Sequence, residues 1–347
     1  MSTPPALSTR VITDLVTLEQ LFSEWNGLWN RCPGATSFQR PEWVLAWTQT
    51  FQPKLFVVEV RCGQDLVGLA PLFLYRSGEE QVLAPLAASV SDYLDWLIQQ
   101  GAETEILNEI FDVLKKADVK WDRLDLTDLR GSSPLLKFDF KDWVCERSEE
   151  TICPVLALPA DAQSVEELLS AKLRHNLRTA RRRTGKAGQA EIEIASEDTL
   201  DEFLTAMPYL HGARWRNCGA PGMLADNNVQ EFHRRAAPAL LSRGVLRLYG
   251  FRLSGHLIAA LYALSERNTV YCYLQGFDPA YSALSPGAQI LAAVIDDCLR
   301  NRKQAVDFLR GTEKYKYAWG ARDQQTYRLC LRQRTPAPRS VPPAVPA

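Results

Sequence analysis

Residues 245–277 read VLRLYGFRL, SG, HLIAALYAL, SERN, TVYCYLQGF. Three strand-length apolar runs, each closed by a short polar turn, predict an antiparallel meander. Pro286, at the far end of the following DPAYSALS segment, opens a helix over about 286–300, and AVDFLRG then reads as one more strand. The same order stands in the first half. LFVVEVRC (55–62), LVGLAPLFLY (66–75) and QVLAPL (81–86) are three strands. The irregular ASVSDYLDWLI, a helix over about 103–117 and the strand WDRLDLTDL follow. Arg61–Gly68 lies over Arg252–Ala259, and the Asp125 strand over the Asp307 strand. The chain therefore reads as one β-β-β-loop-α-β unit written twice; two unrelated α+β domains are the alternative.

Composition agrees. The 347 residues suggest about two domains, and 46% hydrophobic with 23% charged residues is ordinary for a folded protein. Forty basic against 41 acidic residues give a net charge of −1, so no global excess of cation awaits a nucleic-acid backbone, and no DNA partner is expected. No segment reaches the ~18–20 apolar residues of a membrane span. The first residues show no leader pattern, so a cytoplasmic location is expected. Eight scattered cysteines without a CxxC pair read as reduced thiols, and four histidines without ligand spacing predict no metal site.

A boundary is expected near 150–163, where charge, two prolines and the capping-box pattern of Ser164 and Glu167 meet. The expected division is a disordered N-terminus at 1–10, a first domain at 11–155, a second at 156–334, and a disordered tail at 335–347 with five prolines.

Four segments carry candidate chemistry. In the first, 269–289, Ser285 is a good N-cap residue, Pro286 suits the first helical turn and Gly287 admits a ligand to the backbone. A helix N-terminus beyond a strand favours an anion such as pyrophosphate; a plain strand–loop–helix connection is the alternative. In the second, 307–320, Glu313 is a candidate base, Tyr315 or Tyr317 an acid, and Lys316 a donor to an oxyanion or phosphate; Asp307 stands on the strand before them. A solvated turn explains the same residues. In the third, 172–186, seven Lys and Arg stand without an acid. Arg174 and Arg178 share a helical face and are the candidate anion ligands; a solvated face is the alternative. In the fourth, 207–224, His211 and Trp215 lie four apart beside Arg214 and suit an acceptor pocket, or simple packing.

Taken together and in order, KLRHNLRTARRR, HGARW, FHRRAAPALLSRGVLRLYGFRLSGHLIAALYAL, YSALSPGAQIL and DFLRGTEKYKYAWG resemble the GNAT-superfamily acyltransferase domain of bacterial polysaccharide- and cellulose-biosynthesis acetyltransferases. The resemblance covers about 156–335. The preceding half, with FQRPEWVLAWTQTF, looks like a degenerate first domain of such proteins, and Gly311, Tyr315-Lys316 and Trp319-Gly320 are similar to a run of the Fem-type aminoacyltransferases.

The resemblance implies an α+β fold of tandem GNAT-like domains, each a mixed, mostly antiparallel sheet flanked by helices. It implies an N-acyltransferase using acetyl-CoA or another acyl-CoA, with Tyr273, Leu274, Gln275 and Gly276 on the thioester and pantetheine. The amides of Ser285, Pro286, Gly287, Ala288 and Gln289 would take the pyrophosphate. Only Gly287 of the usual Q/R-x-x-G-x-G/A loop is present, which leaves aminoacyl-tRNA as a second donor. The expected acceptor is an amino sugar or other glycan precursor attacked directly. A non-catalytic scaffold in an envelope-polysaccharide assembly is a third reading.

Overall fold

The computed structural model describes residues 6–216 and 222–334, the side chains of 214–216 excepted. The first half runs β1 (Leu7–Ile12), α1 (Leu15–Gln20), α2 (Phe22–Arg31), α3 (Pro41–Phe51), β2 (Lys54–Cys62), β3 (Asp65–Ser77), β4 (Glu80–Pro85), β5 (Leu97–Ile98), α4 (Glu103–Lys116) and β6 (Arg123–Arg130). β7 (Trp143–Ala157) crosses to the second half. There follow α5 (Val165–Leu168), α6 (Ala171–Ala187), β8 (Ala190–Ile194), α7 (Leu200–Arg216), α8 (Asn227–Ser242), β9 (Leu246–Leu253), β10 (His256–Glu266), β11 (Thr269–Phe277), α9 (Pro286–Arg300), β12 (Ala305–Asp307), α10 (Lys314–Ala318) and β13 (Arg322–Gln333).

The fold is α+β, as expected, and the two units share one continuous sheet. Its order is β1-β2-β3-β4-β6-β13-β7-β12-β11-β10-β9-β8, with β5 beside β3. Read from both ends the order is a palindrome of the two halves: β1 answers β8, β2 answers β9, β3 answers β10, β4 answers β11 and β6 answers β12. The centre is an exchange. β7, from the first half, pairs with β12 of the second, and β13, the last strand, pairs with β6 of the first. β7 and β13 pair with each other along almost their whole length.

Two sequence expectations are corrected here. The division at 155/156 falls inside β7, a single strand. Its charged residues read as linker, yet residues 146–150, all exposed, belong to a strand paired with β13. Residues 7–10 of the expected disordered N-terminus belong to β1, which pairs with Val57–Cys62. β2 is buried along most of its length, and a short strand with Arg10 bonded to Glu59 at 2.8 Å covers its open edge. The proline-rich tail lies outside the described residues.

Successive residues of each strand point to opposite faces. One face of both half-sheets carries α1–α3, α7 and α8, whose side chains merge into one core containing Trp43, Phe232, Tyr262 and Tyr271. The other face carries α4 over the first half and α9 over the second, each with its own core. The halves are locked where α3 meets α8. Trp43 and Phe232 stack edge to face at 4.8 Å. The Arg40 guanidinium, 3.9 Å over the Trp29 ring, forks onto the buried Glu266 carboxylate. No described helix is long and apolar enough to cross a membrane.

Candidate functional site

β11 and β12 pair in parallel only over Thr269–Tyr271 and Ala305–Asp307. β11 then runs on to Phe277, whereas the chain after Asp307 turns away to bond β7, Phe308 N to Pro154 O and Gly311 N to Ile152 O, both at 3.0 Å. The two strands open into a wedge. At its start β11 is bulged: Tyr262 opposes Leu274 and Ala263 opposes Cys272, so Tyr273 is the extra residue. A bulge bends its strand and frees ladder groups at that point.

Beneath the wedge lies a cleft of about 240 Å³ lined by Gln275, Phe277, Gly287, Ala288, Leu291, Tyr315 and Trp319. It brings together Gln275, Gly287, Ala288 and Tyr315, which the sequence reading had placed in two separate segments. The walls are mainly apolar and suit a narrow, flexible arm. Gln275 donates to the Gly287 carbonyl at 2.9 Å.

The phosphate cradle expected at Ser285–Gln289 does not form as a set. Ser285 takes a left-handed conformation (φ 49°) and its side chain makes no cap. Its amide donates to Ser282 O, and the Ala288 and Gln289 amides donate back to Ser285 O. Pro286 has no N–H. Among the described residues, Gly287 is the member of the run whose amide has no such acceptor. Gln289 is buried, and its amide group ties Thr184 of α6 to the Leu284 carbonyl at 2.8 and 2.7 Å. The cleft thus fits the slender part of a coenzyme, and the helix start as it stands offers one amide to a diphosphate. Gly276 serves another purpose. A Cβ there would sit 2.3 Å from His211 N and Leu210 C, so glycine lets the α7 backbone lie on β11. His211 follows, its Nδ1 3.3 Å from the Gln275 carbonyl.

Lys316, expected as an oxyanion donor, points inward. Its side chain is 3% exposed, and its ammonium meets Leu309 O, Arg310 O and Gly311 O at 2.7–3.1 Å and Glu313 Oε2 at 2.9 Å. Three N–H groups facing four oxygens are fully used. Lys316 therefore fastens the turn that carries Glu313 and Tyr315. Tyr315 packs edge to face on Phe308. Tyr317 lies on the exposed side.

Asp307 ends β12 in a buried position. Its Oδ2 accepts from the Tyr93 hydroxyl and its Oδ1 from Leu309 N, both at 2.8 Å. Burial pushes its carboxyl up to about 6. Next to it, Arg310 binds Asp92 and the Ser91 carbonyl and approaches Asp128 at 3.6 Å. Desolvation lifts Asp128 to about 7. Sequence reasoning missed Asp92 and Tyr93; the one signal was the run of polar residues Ser89, Ser91, Asp92, Tyr93 and Asp95 in the irregular segment. Cys153, Cys32 and Cys298 are buried thiols, pushed up to about 12, 11 and 12 by desolvation and thereby made poor nucleophiles.

The two arginines expected as ligands have structural partners. Arg174 donates to the Glu166 and Leu169 carbonyls, both at 3.0 Å, and Arg178 to the Glu166 carboxylate at 2.7 Å, so both pin the one-turn helix α5 onto α6. In that turn Glu167 reaches back to the Ser164 hydroxyl and the Gln163 amide, which replaces the expected capping box. The side chains of Arg214 and Trp215 lie outside the described residues. Among the described residues no group of His, Cys, Asp and Glu is arranged to hold a metal ion.

A further polar pair went unnoticed in the sequence. His233 of α8 and Tyr262 of β10 are 3% and 1% exposed. Both ring nitrogens and the hydroxyl lack hydrogen-bond partners among the described residues.

Comparison with known proteins fits this geometry. Residues 171–317 match the model of the acetyltransferase (GNAT) domain family. Among solved structures the chain is similar to FemX, at 12% identity and a TM-score of 0.65, over 93% of this chain and 96% of that one. It is also similar to L-PGS from Bacillus licheniformis, at 10% identity and a TM-score of 0.59, over 91% and 93%. A conserved protein of unknown function from Bacteroides thetaiotaomicron aligns at 12% identity and a TM-score of 0.56, over 94% and 100%. Comparison with curated proteins returned no match. Residues 171–317 thus match an acetyltransferase (GNAT) domain, and the overall fold is similar to that of FemX.

Proposed function

We propose that this protein is an N-acyltransferase that moves an acyl group, acetyl in the simplest case, from acyl-CoA to the amine of an amino sugar or related envelope-glycan precursor in the cytoplasm. The carrying observation is the wedge between β11 and β12, with a bulged strand above a mainly apolar cleft at the start of α9. The cleft suits a pantetheine arm, with Gln275 and Gly287 on its walls. Coenzyme A, when bound, supplies the thioester and a thiolate leaving group.

The reaction is a direct attack. The amine nitrogen bonds to the acyl carbon, the carbon–sulfur bond breaks, the amine loses a proton and the sulfur gains one. Glu313 is the candidate proton acceptor, held by Lys316 at 2.9 Å. Tyr315, in the cleft wall, is the candidate donor to the leaving group. Lys316 and Asp307 act as positioning residues, one fastening the turn and the other the end of β12.

One observation favours a second donor. The Ser285, Ala288 and Gln289 amides are committed inside the helix start, so a diphosphate has little to bind there. An aminoacyl ester on tRNA needs no such cradle. Lys172, Arg182 and Lys186, exposed on α6 beside this helix, would meet its backbone. The fold likeness to FemX points the same way. Incubation with labelled acetyl-CoA, or with labelled aminoacyl-tRNA, and a panel of amino sugars and glycan precursors tests both. Transfer from acetyl-CoA supports the first reading, transfer from tRNA the second, and transfer from neither removes the acyltransferase assignment.

A further inference from the structure

We propose that the buried cavity between α7, α8 and the bulge of β11 is the subsite for the acceptor's amino group, taken up as the uncharged amine. The inference rests on the acyltransferase reading above and names the part of the acceptor that this half recognises.

The cavity has about 10 Å³ of free space, room for one water-sized group. Tyr262 and His233 both line it, their rings in contact with centroids 5.2 Å apart. Their three polar atoms have no partners among the described residues, and unpaired polar groups at such burial are costly and rare. The wall thus offers an imidazole nitrogen and a hydroxyl oxygen that can each accept a hydrogen bond. A primary amine supplies two N–H donors to them and keeps its lone pair free.

The location fits the reaction. Leu274 lines the cavity and pairs with Tyr262 next to the bulge at Tyr273, on the strand that borders the donor wedge. The electrostatics select the reactive form. Burial, helped by the nearby His211, pushes His233 down to about 3. Its ring packs against those of Trp43, Phe232, Tyr262 and Tyr273, and the other polar wall residue, Gln230, is neutral and donates to the Leu224 carbonyl at 2.8 Å. The same desolvation disfavours an ammonium ion brought into the cavity. Only the free amine has the lone pair needed for attack.

The test uses the full chain and hydroxylamine, a small amine that is uncharged at neutral pH, with methylammonium as the charged control. The ring-nitrogen NMR signals of His233 are followed during titration. Saturable shifts with hydroxylamine and none with methylammonium are expected. Affinity should fall roughly tenfold or more in Tyr262→Phe, which removes the hydroxyl, and in Leu204→Phe, which fills the space. Absence of a saturable shift in the parent protein overturns the proposal, as does unchanged affinity in both variants. Acetyl-CoA and aminoacyl-tRNA binding to the parent protein are measured separately. Amine binding without either donor would overturn the acyltransferase reading and leave the amine site standing.

Discussion

The Tyr93 hydroxyl, from the first half of the chain, donates to Oδ2 of Asp307, the last residue of β12 in the second half, at 2.8 Å. The other oxygen of Asp307 holds Leu309 N, and Leu309 is left-handed (φ 55°). The point where β12 leaves β11 is thus fixed by a residue of the other repeat. The first half of the chain thus shapes the site of the second.

Asp307 should make stability fall as pH rises. Burial raises its folded-state value to about 6 from the ordinary 3.8, so the ionised form is disfavoured in the fold. Its contribution is complete below about pH 4 and is lost as pH passes about 6. Urea unfolding of Asp307→Asn and the parent protein, compared across that window, should show the variant gaining up to about 3 kcal/mol relative to the parent. A difference that does not change with pH would mean that Asp307 stays ionised throughout.

His233 acts in the opposite direction. Its value is depressed to about 3, so it contributes stability above its ordinary 6.5 and loses it as pH falls toward 3. His233→Leu should flatten the acid side of the stability profile. An unchanged slope between those pH values would show that the imidazole is accessible to water and protons in the fold.

Lys316→Met should cost about 3–5 kcal/mol, because it strands Glu313 and three carbonyls around a lost cation. The urea midpoint reads this directly. A lysine that served turnover alone would leave the midpoint where it was.

Gly276→Ala and Gly287→Glu separate packing from binding. The added Cβ at 276 meets the α7 backbone at 2.3 Å and should destabilise by about 1–3 kcal/mol. At 287 the nearest atom is the mobile end of Gln275, at 3.0 Å. Gly287→Glu should therefore keep most of its stability while its carboxylate fills the cleft. Calorimetric titration should show loss of acyl-CoA binding, and retained affinity would place the donor elsewhere.

Much of the fold was legible because it depends on short-range patterns. The apolar runs of 245–277 became β9, β10 and β11, and the helix read at about 286–300 is α9, Pro286–Arg300. The repeat showed in sequence because each half must cover the same kind of sheet with the same period of side chains. Gln275, Gly287 and Tyr315 stood in two separate segments of the sequence, and only the fold brings them to one cleft.

Other features depend on contacts between residues distant in the chain. The exchange of β7 and β13 leaves no local mark, because a strand whose charged middle is exposed throughout has the composition of a linker. Lys316 and Arg174 looked like ligands, as any cation does in sequence. Only the fold decides that three carbonyls surround one and that the other clamps α5. Tyr93 and Asp307 are 214 residues apart, as are many pairs that never meet. The burial that makes His233 and Tyr262 notable is likewise a property of packed elements: the sequence supplies the polar atoms, and the tertiary structure alone determines that water does not reach them.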